Sequence, residues 1–256
     1  MSFLSLVRVE FKKIRRSGIF LILVAAAVIL WIPSVLHADM NFGMQAEGIS
    51  PENNFFIQGF LGMAWFMFPA GLVVSTVLVS MTERGHKAML KMLSLPVNPA
   101  KMCLAKFVVL LALAAFQILL AVGMYYISAG IASKTQQYDF VLEPVFVCRE
   151  AGMLFVSSVP MLAVFWFLAV CIQTPIFSMG IGLASIVPSV LLINTKLWFA
   201  YPMSYPFFVL TAEYGKLAAN ITTAEVVLFP WIPAALGVTM LSLFIACLCF
   251  GRAERR

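Results

Sequence analysis

Residues 151–195 read AGMLFVSSVPMLAVFWFLAVCIQTPIFSMGIGLASIVPSVLLINT, 45 consecutive positions without a charged side chain. About 20 apolar residues in a helix cross a bilayer core of about 30 Å once, so this run is long enough to cross twice. Gln173-Thr174-Pro175 interrupts it near the middle and predicts a tight helical hairpin. The apolar character is continuous rather than alternating. Every backbone amide in hydrocarbon must be satisfied within its own segment, so these are helices and not strands of a closed barrel.

Working outward, charge disappears in four more places: residues 18–36, 53–82, 107–133 and 226–251. The predicted architecture is an all-α integral membrane protein. It is one transmembrane domain over 1–256, with six spans at about 18–36, 60–81, 107–131, 151–172, 175–193 and 230–250. Composition agrees: 62% of residues are hydrophobic and 11% charged, against about 45–50% and 25% in soluble domains.

Orientation follows from the short loops, because cytoplasmic loops collect Lys and Arg. With the N-terminus inside, the inner segments hold Arg8, Lys12, Lys13, Arg15, Arg16, Arg84, Lys87, Lys91, Lys101, Lys106, Arg252, Arg255 and Arg256, which is 13 of the 17 basic residues. Asp39, Glu47, Glu52, Asp139, Glu143, Glu150, Glu213 and Glu225 fall outside. Both termini are therefore predicted to be cytoplasmic. The formal net charge of +6 belongs to one face, where the anionic inner leaflet accounts for it without nucleic acid. The first span, 19 uncharged residues behind a basic stretch, exceeds the 7–15 residues of a signal-peptide core, so an uncleaved helix is favoured.

Ahead of that span, Phe3, Leu4, Val7, Phe11 and Ile14 fall on one side of a helical wheel and Arg8, Lys12, Arg15 and Arg16 on the other. Residues 2–16 are thus an amphipathic helix on the inner membrane surface. Glu10 sits near the edge of the apolar stripe, with nothing in the sequence to account for it.

No phosphate-binding loop of the Gly-x-x-x-x-Gly-Lys-Ser/Thr kind and no Gly-x-Gly-x-x-Gly stretch is present. His37 and His86 are predicted on opposite sides of the membrane. Cys103, Cys148, Cys171, Cys247 and Cys249 are scattered, and Cys247 and Cys249 diverge on a helix. No metal set and no nucleophile–base arrangement can be nominated, so an enzyme is not expected. The spans also lack buried ionisable groups, which ion-coupled carriers and pumps place there despite the cost. Any transport energy must come from another subunit. Ser75, Thr76, Ser80, Gln117, Ser157 and Ser158 are the mild polar residues of the spans, read first as helix-packing groups and second as a pathway lining. In the fifth span Ser178 and Gly182, and Gly180 and Ala184, are spaced by four, a pattern that lets helices approach closely.

The inner loop 82–101 carries the most information. Thr82 and Glu83 can start a short helix with Met89, Leu90, Met92 and Leu93 on its apolar face, ended by Pro96. Such a helix fits either a partner's groove or the membrane surface.

The pattern of an acidic residue and arginine, a glycine, then LKMLSLPVNPAKMCLAK (90–106) resembles the first cytoplasmic loop of ABC-2 type ABC transporter permeases. VEFKKIRRS (9–17) resembles that family's elbow helix, and the six-span arrangement agrees. The resemblance implies the ABC-2, type V exporter-like, permease fold. Within the family, NFFIQGFLGMAWFMFPAG (54–71), LAVCIQTPIFSMGIGLASIVPS (168–189) and the closing AERR (253–256) are similar to the permeases of lantibiotic-immunity, bacteriocin-export and bacitracin-type systems.

The resemblance further implies that Glu83, Arg84, Gly85, Lys87, Leu90 and Leu93 form the main coupling contact with an ABC ATPase dimer, and that Cys171, Gln173 and Thr174 form a second. ATP and Mg would sit on that partner and no cofactor on this chain. A homologous permease or a second copy of this chain would complete the pore in a bacterial cytoplasmic membrane. The substrate would be an amphipathic peptide antibiotic expelled from the membrane; another lipid-like or drug substrate, an energy-independent channel or secondary carrier, or a non-transporting scaffold or sensor subunit are the alternatives. The outer segment 194–225, with KLWFAYPMSYPFFVL at 196–210, reads as interfacial or re-entrant. Its Trp198, Tyr201, Tyr205 and Phe207 are either an aromatic belt or contacts to substrate and membrane lipid at the outer leaflet.

Overall fold

The computed structural model describes residues 2–15, 17–84, 98–172, 174–220 and 226–253. These residues form helices α1 (Phe3–Ile14), α2 (Ile19–Leu36), α3 (Met40–Gly43), α4 (Pro51–Gly62), α5 (Phe68–Arg84), α6 (Pro99–Gln136), α7 (Pro144–Cys171), α8 (Pro175–Ala184), α9 (Ser189–Leu192), α10 (Tyr205–Leu217) and α11 (Leu228–Ala253), with no strand among them. Among the described residues, six helical stretches are long and apolar enough to cross a membrane.

First-turn prolines rather than hydropathy mark where these helices start. Pro99, Pro144 and Pro175 stand in the first turns of α6, α7 and α8, where a missing N–H costs nothing. The Asn98 side chain accepts from Ala100 N at 2.9 Å to open α6. As a result α6 begins before the apolar run at Phe107 and covers 38 residues, about 57 Å. It projects beyond a bilayer core at its ends. The second span likewise begins at Pro51, behind Ser50, and takes Asn53, Asn54 and Gln58 into helix. The fifth span is broken: α8 stops at Ala184, and a turn through Pro188 leads to α9.

α4 and α5 are joined by a π-helical turn, Met63–Met67. Such a turn disturbs the backbone ladder, and Gln117 of α6 donates to the Met67 carbonyl there at 3.2 Å. Thr76, Ser157 and Ser158 bond carbonyls of their own helices, while Ser80 donates to Ala169 O across to α7 at 3.1 Å. Each of these five span residues thus donates to a backbone carbonyl, whereas Ser75 Oγ is buried without a partner among the described residues.

Contacts between helix ends sort the molecule into two ends. At the first, α1 lies against α6, Ser80 meets Ala169, and Cys247 of α11 approaches the Ala100 carbonyl. At the far end, Tyr138 donates to Glu52 at 2.5 Å, Arg149 bridges to Glu213, and the backbone of Ala219 donates to Gly48 O. An aromatic core between α2, α4 and α6 holds Trp31, Phe55, Phe56, Phe60 and Tyr125, all at most 1% exposed. Gly59 is required there, since a Cβ would stand 2.5 Å from the Trp31 ring.

Candidate functional site

The first end of the bundle is organised by α1. Ser2 caps it, its hydroxyl accepting from Ser5 N at 3.3 Å. The helix has three sides rather than the two expected. Leu6, Glu10 and Ile14 are buried against the bundle, whereas Leu4 and Phe11 of the same apolar stripe are exposed. Arg8, Lys12 and Arg15 are exposed on the third side. Gly18, in left-handed backbone at φ 74°, then turns the chain into α2, a conformation that favours glycine.

Glu10 is 5% exposed and its carboxylate is shared by two lysines: Lys106 Nζ at 2.5 Å on Oε2 and Lys13 Nζ at 2.5 Å on Oε1. Lys106, on α6, has no exposed surface. Burial pushes the Glu10 carboxyl up, but the charges and hydrogen bonds of Lys106 and Lys13 outweigh it and hold the carboxyl below its ordinary range. This ion pair is the account of Glu10 that the sequence lacked. The spans expected at 107–131 and 151–172 hold no buried Asp, Glu, Lys, Arg or His, but one such residue stands immediately before each. Lys106 lies inside α6 and Glu150, 3% exposed, inside α7, because both helices run past their apolar segments. Glu150 is neutralised in place by Arg149 at 2.7 Å.

Glu83 and Arg84 are the last two residues of α5. Gly85, Lys87, Leu90, Leu93 and Gln173 lie outside the described residues. Cys171 ends α7 and is exposed, and Thr174 is the exposed residue at which α8 begins. The Ser80–Ala169 hydrogen bond sets the end of α5 beside the end of α7, so the two segments expected to contact an ATPase emerge from neighbouring helices. Cys247 and Cys249 do not face each other. All five cysteines are free thiols, and Cys247 lies beside Cys103 and Cys249 beside Cys171 where α11 packs on α6 and α7.

At the far end, Trp198 stacks on Phe208 with ring centroids 3.7 Å apart, and Tyr205 and Trp231 pack edge-on and tilted beside it. Trp198 and Tyr205 are buried in this cluster; Tyr201 and Phe207 are half-buried at its rim. Tyr201 Oη donates to Ser185 O and Tyr205 Oη to Phe199 O, and burial pushes the Tyr205 phenol up to about 12. The segment is held to α7 by Arg149, which reaches Glu213 at 3.1 Å, with Lys216 on Glu213 at 2.8 Å.

The two pairs of small residues in the fifth span separate. Ser178 and Gly182 are buried, and a Cβ on Gly182 would meet Val73 of α5 at 2.8 Å. Gly180 and Ala184 are exposed, and a Cβ on Gly180 would meet nothing within 4 Å. Among the described residues no group of three His, Cys, Asp or Glu side chains is placed to hold a metal.

Sequence reasoning also passed over an amide cluster at the far end. Gln58 Nε2 donates to Asn54 Oδ1 at 3.4 Å, Asn54 Nδ2 to Asn41 Oδ1 at 2.8 Å, and Asn41 Nδ2 to Ala38 O at 2.9 Å. The spacing of Asn54 and Gln58 by four was its one sequence signal.

A family model described as ABC-2 family transporter protein matches residues 6–189, from α1 into α9. The chain belongs to the ABC-2 transporter family. As an ABC-2 permease it is a multi-pass membrane component of a transporter, and the family implies an ABC ATPase as its partner. No curated protein and no solved structure matches the chain.

Proposed function

We propose that this ABC-2 permease is the membrane subunit of an ATP-driven exporter that expels an amphipathic peptide antibiotic from a bacterial cytoplasmic membrane, with both termini cytoplasmic. One observation carries the mechanical part. The end of α5, the start of α8 and the anchored α1 share the end of the bundle that also bears most of the basic residues among those described. An ATPase docked on residues 82–101 and on Cys171–Thr174 would push on α5 and α7 together. The Glu10–Lys106 pair would carry that movement into α1 and α6, since separating the pair takes from each buried charge a partner 2.5 Å away. Export of a peptide is supported by the resemblance to lantibiotic-immunity permeases in 54–71 and 168–189 and by the aromatic segment 196–210 at the proposed outer face.

Affinity purification of the tagged chain from its native membrane tests the reading. A stoichiometric ABC ATPase is the expected companion, and its absence overturns the proposal. Replacing Glu83 by Ala is expected to weaken ATPase association with membrane insertion unchanged; full assembly and full hydrolysis in that variant would remove residues 82–101 from the coupling role.

A further inference from the structure

A cavity of about 340 Å³ lies at the far end between α2, α3 and α4. Its polar lining is Ser34, His37, Asn41, Asn54 and Gln58, and Phe55 forms part of its apolar wall. We propose that this cavity binds an uncharged hydrogen-bonding group of an amphiphile, specifically a peptide amide. The inference deepens the proposed function, resting on its reading of this end as the outer face.

The lining holds no Asp, Glu, Lys or Arg. A phosphate or carboxylate entering it would shed water without meeting a Lys or Arg, with the exposed His37 at the rim as its one ionisable neighbour, and an ammonium would meet no carboxylate, so a buried charge is poorly compensated. A neutral group suffers no such loss. The amide ladder is directional, running Gln58 to Asn54 to Asn41 to the Ala38 carbonyl, and both inner members are buried, at 3% and 7% exposure. These inner amides fix one another. Gln58 is the exposed outer rung, and its Oε1 accepts from no described residue. A carboxamide presents a donor and an acceptor on one edge, the same pair that a peptide group presents in reverse. Met40 and Met44 complete the wall with unbranched, polarisable side chains that adapt to irregular apolar surfaces. Met40 is 68% exposed and His37 is exposed, so the cavity opens to the surface beside the end of α2. A tail in the bilayer with its amide group in this opening satisfies both surfaces.

The test uses three amphiphiles with one twelve-carbon tail: N-dodecanoyl-alanyl-alaninamide, dodecyl phosphate and dodecyl maltoside. Each is titrated onto the purified full chain in amphipol and occupancy is read by native mass spectrometry. The expected result is saturable one-to-one binding of the dipeptide amide, weakened about tenfold by Gln58→Leu. Gln58 is exposed, so this variant should keep the wild-type melting temperature; Ser34→Ala provides a second, smaller loss at an independent position. Preference for dodecyl phosphate overturns the proposal in favour of an anion site, preference for dodecyl maltoside in favour of a hydroxyl site. Equal occupancy by all three, or unchanged binding in both variants, overturns it outright. No ATPase enters this measurement. A missing ATPase in the purification therefore sinks the exporter reading alone, and failed amide selectivity sinks this inference alone.

Discussion

Substituting Glu10 by Gln keeps the shape of the side chain and removes the carboxylate that Lys106 and Lys13 share at 2.5 Å. Lys106 has no exposed surface, so its ammonium loses the carboxylate without gaining water. Breaking a buried pair from one side costs about 3–5 kcal/mol. At about 2–4 °C per kcal/mol for a chain of this size, the melting temperature should fall by about 6–20 °C. Thermal unfolding of the purified chain, followed by circular dichroism, reads the change directly. Arg8→Gln on the exposed side of α1 should shift it by about 1 °C or less. Pairing Glu10→Leu with Lys106→Met should restore most of the loss, since a buried pair exchanged for apolar groups of similar volume is close to neutral. Protonation adds a signature of its own. The folded Glu10 carboxyl titrates below its ordinary value of 4.5, so its contribution is present above that value and is lost as pH falls through the depressed one. Wild-type stability should therefore drop on acidification below about 4.5, with a smaller drop in Glu10→Gln. Equal melting temperatures for Glu10→Gln and Arg8→Gln would refute the buried-pair reasoning.

Gly182→Ala should destabilise the chain by about 1–3 kcal/mol, because its Cβ would meet Val73 at 2.8 Å, while Gly180→Ala, facing open space, should be neutral or slightly stabilising in the same melts. Trp198→Ala empties the stack on Phe208 and the contact with Trp231; a cost of about 3–5 kcal/mol is expected, visible as faster proteolysis between residues 185 and 220 with α6 and α7 still protected.

The membrane class, the break between helices after Cys171 and before Pro175, and a separate helix ahead of the first span were legible, because each rests on local sequence preference. Helix limits were not. Hydropathy marks where the solvent changes, whereas Asn98-Pro99 and Ser50-Pro51 mark where the backbone can start a helix, and the two differ in α4 and α6. Glu10 was illegible for another reason: Lys106 is 96 residues away, and no local pattern pairs them. The same holds for the cavity, where Asn54 and Gln58 share one helix face but Asn41 arrives from the loop after α2. Trp198 and Tyr205 stood out by residue type, and only packing reveals that they face each other and Trp231.

Exporter function is tested most directly by hydrolysis in the assembled complex. The native permease and its co-purified ATPase, reconstituted together in nanodiscs, should hydrolyse ATP faster when an amphipathic cationic peptide is added, and Glu83→Ala in the permease should abolish that stimulation. A hydrolysis rate indifferent to the peptide and to Glu83 would contradict the account.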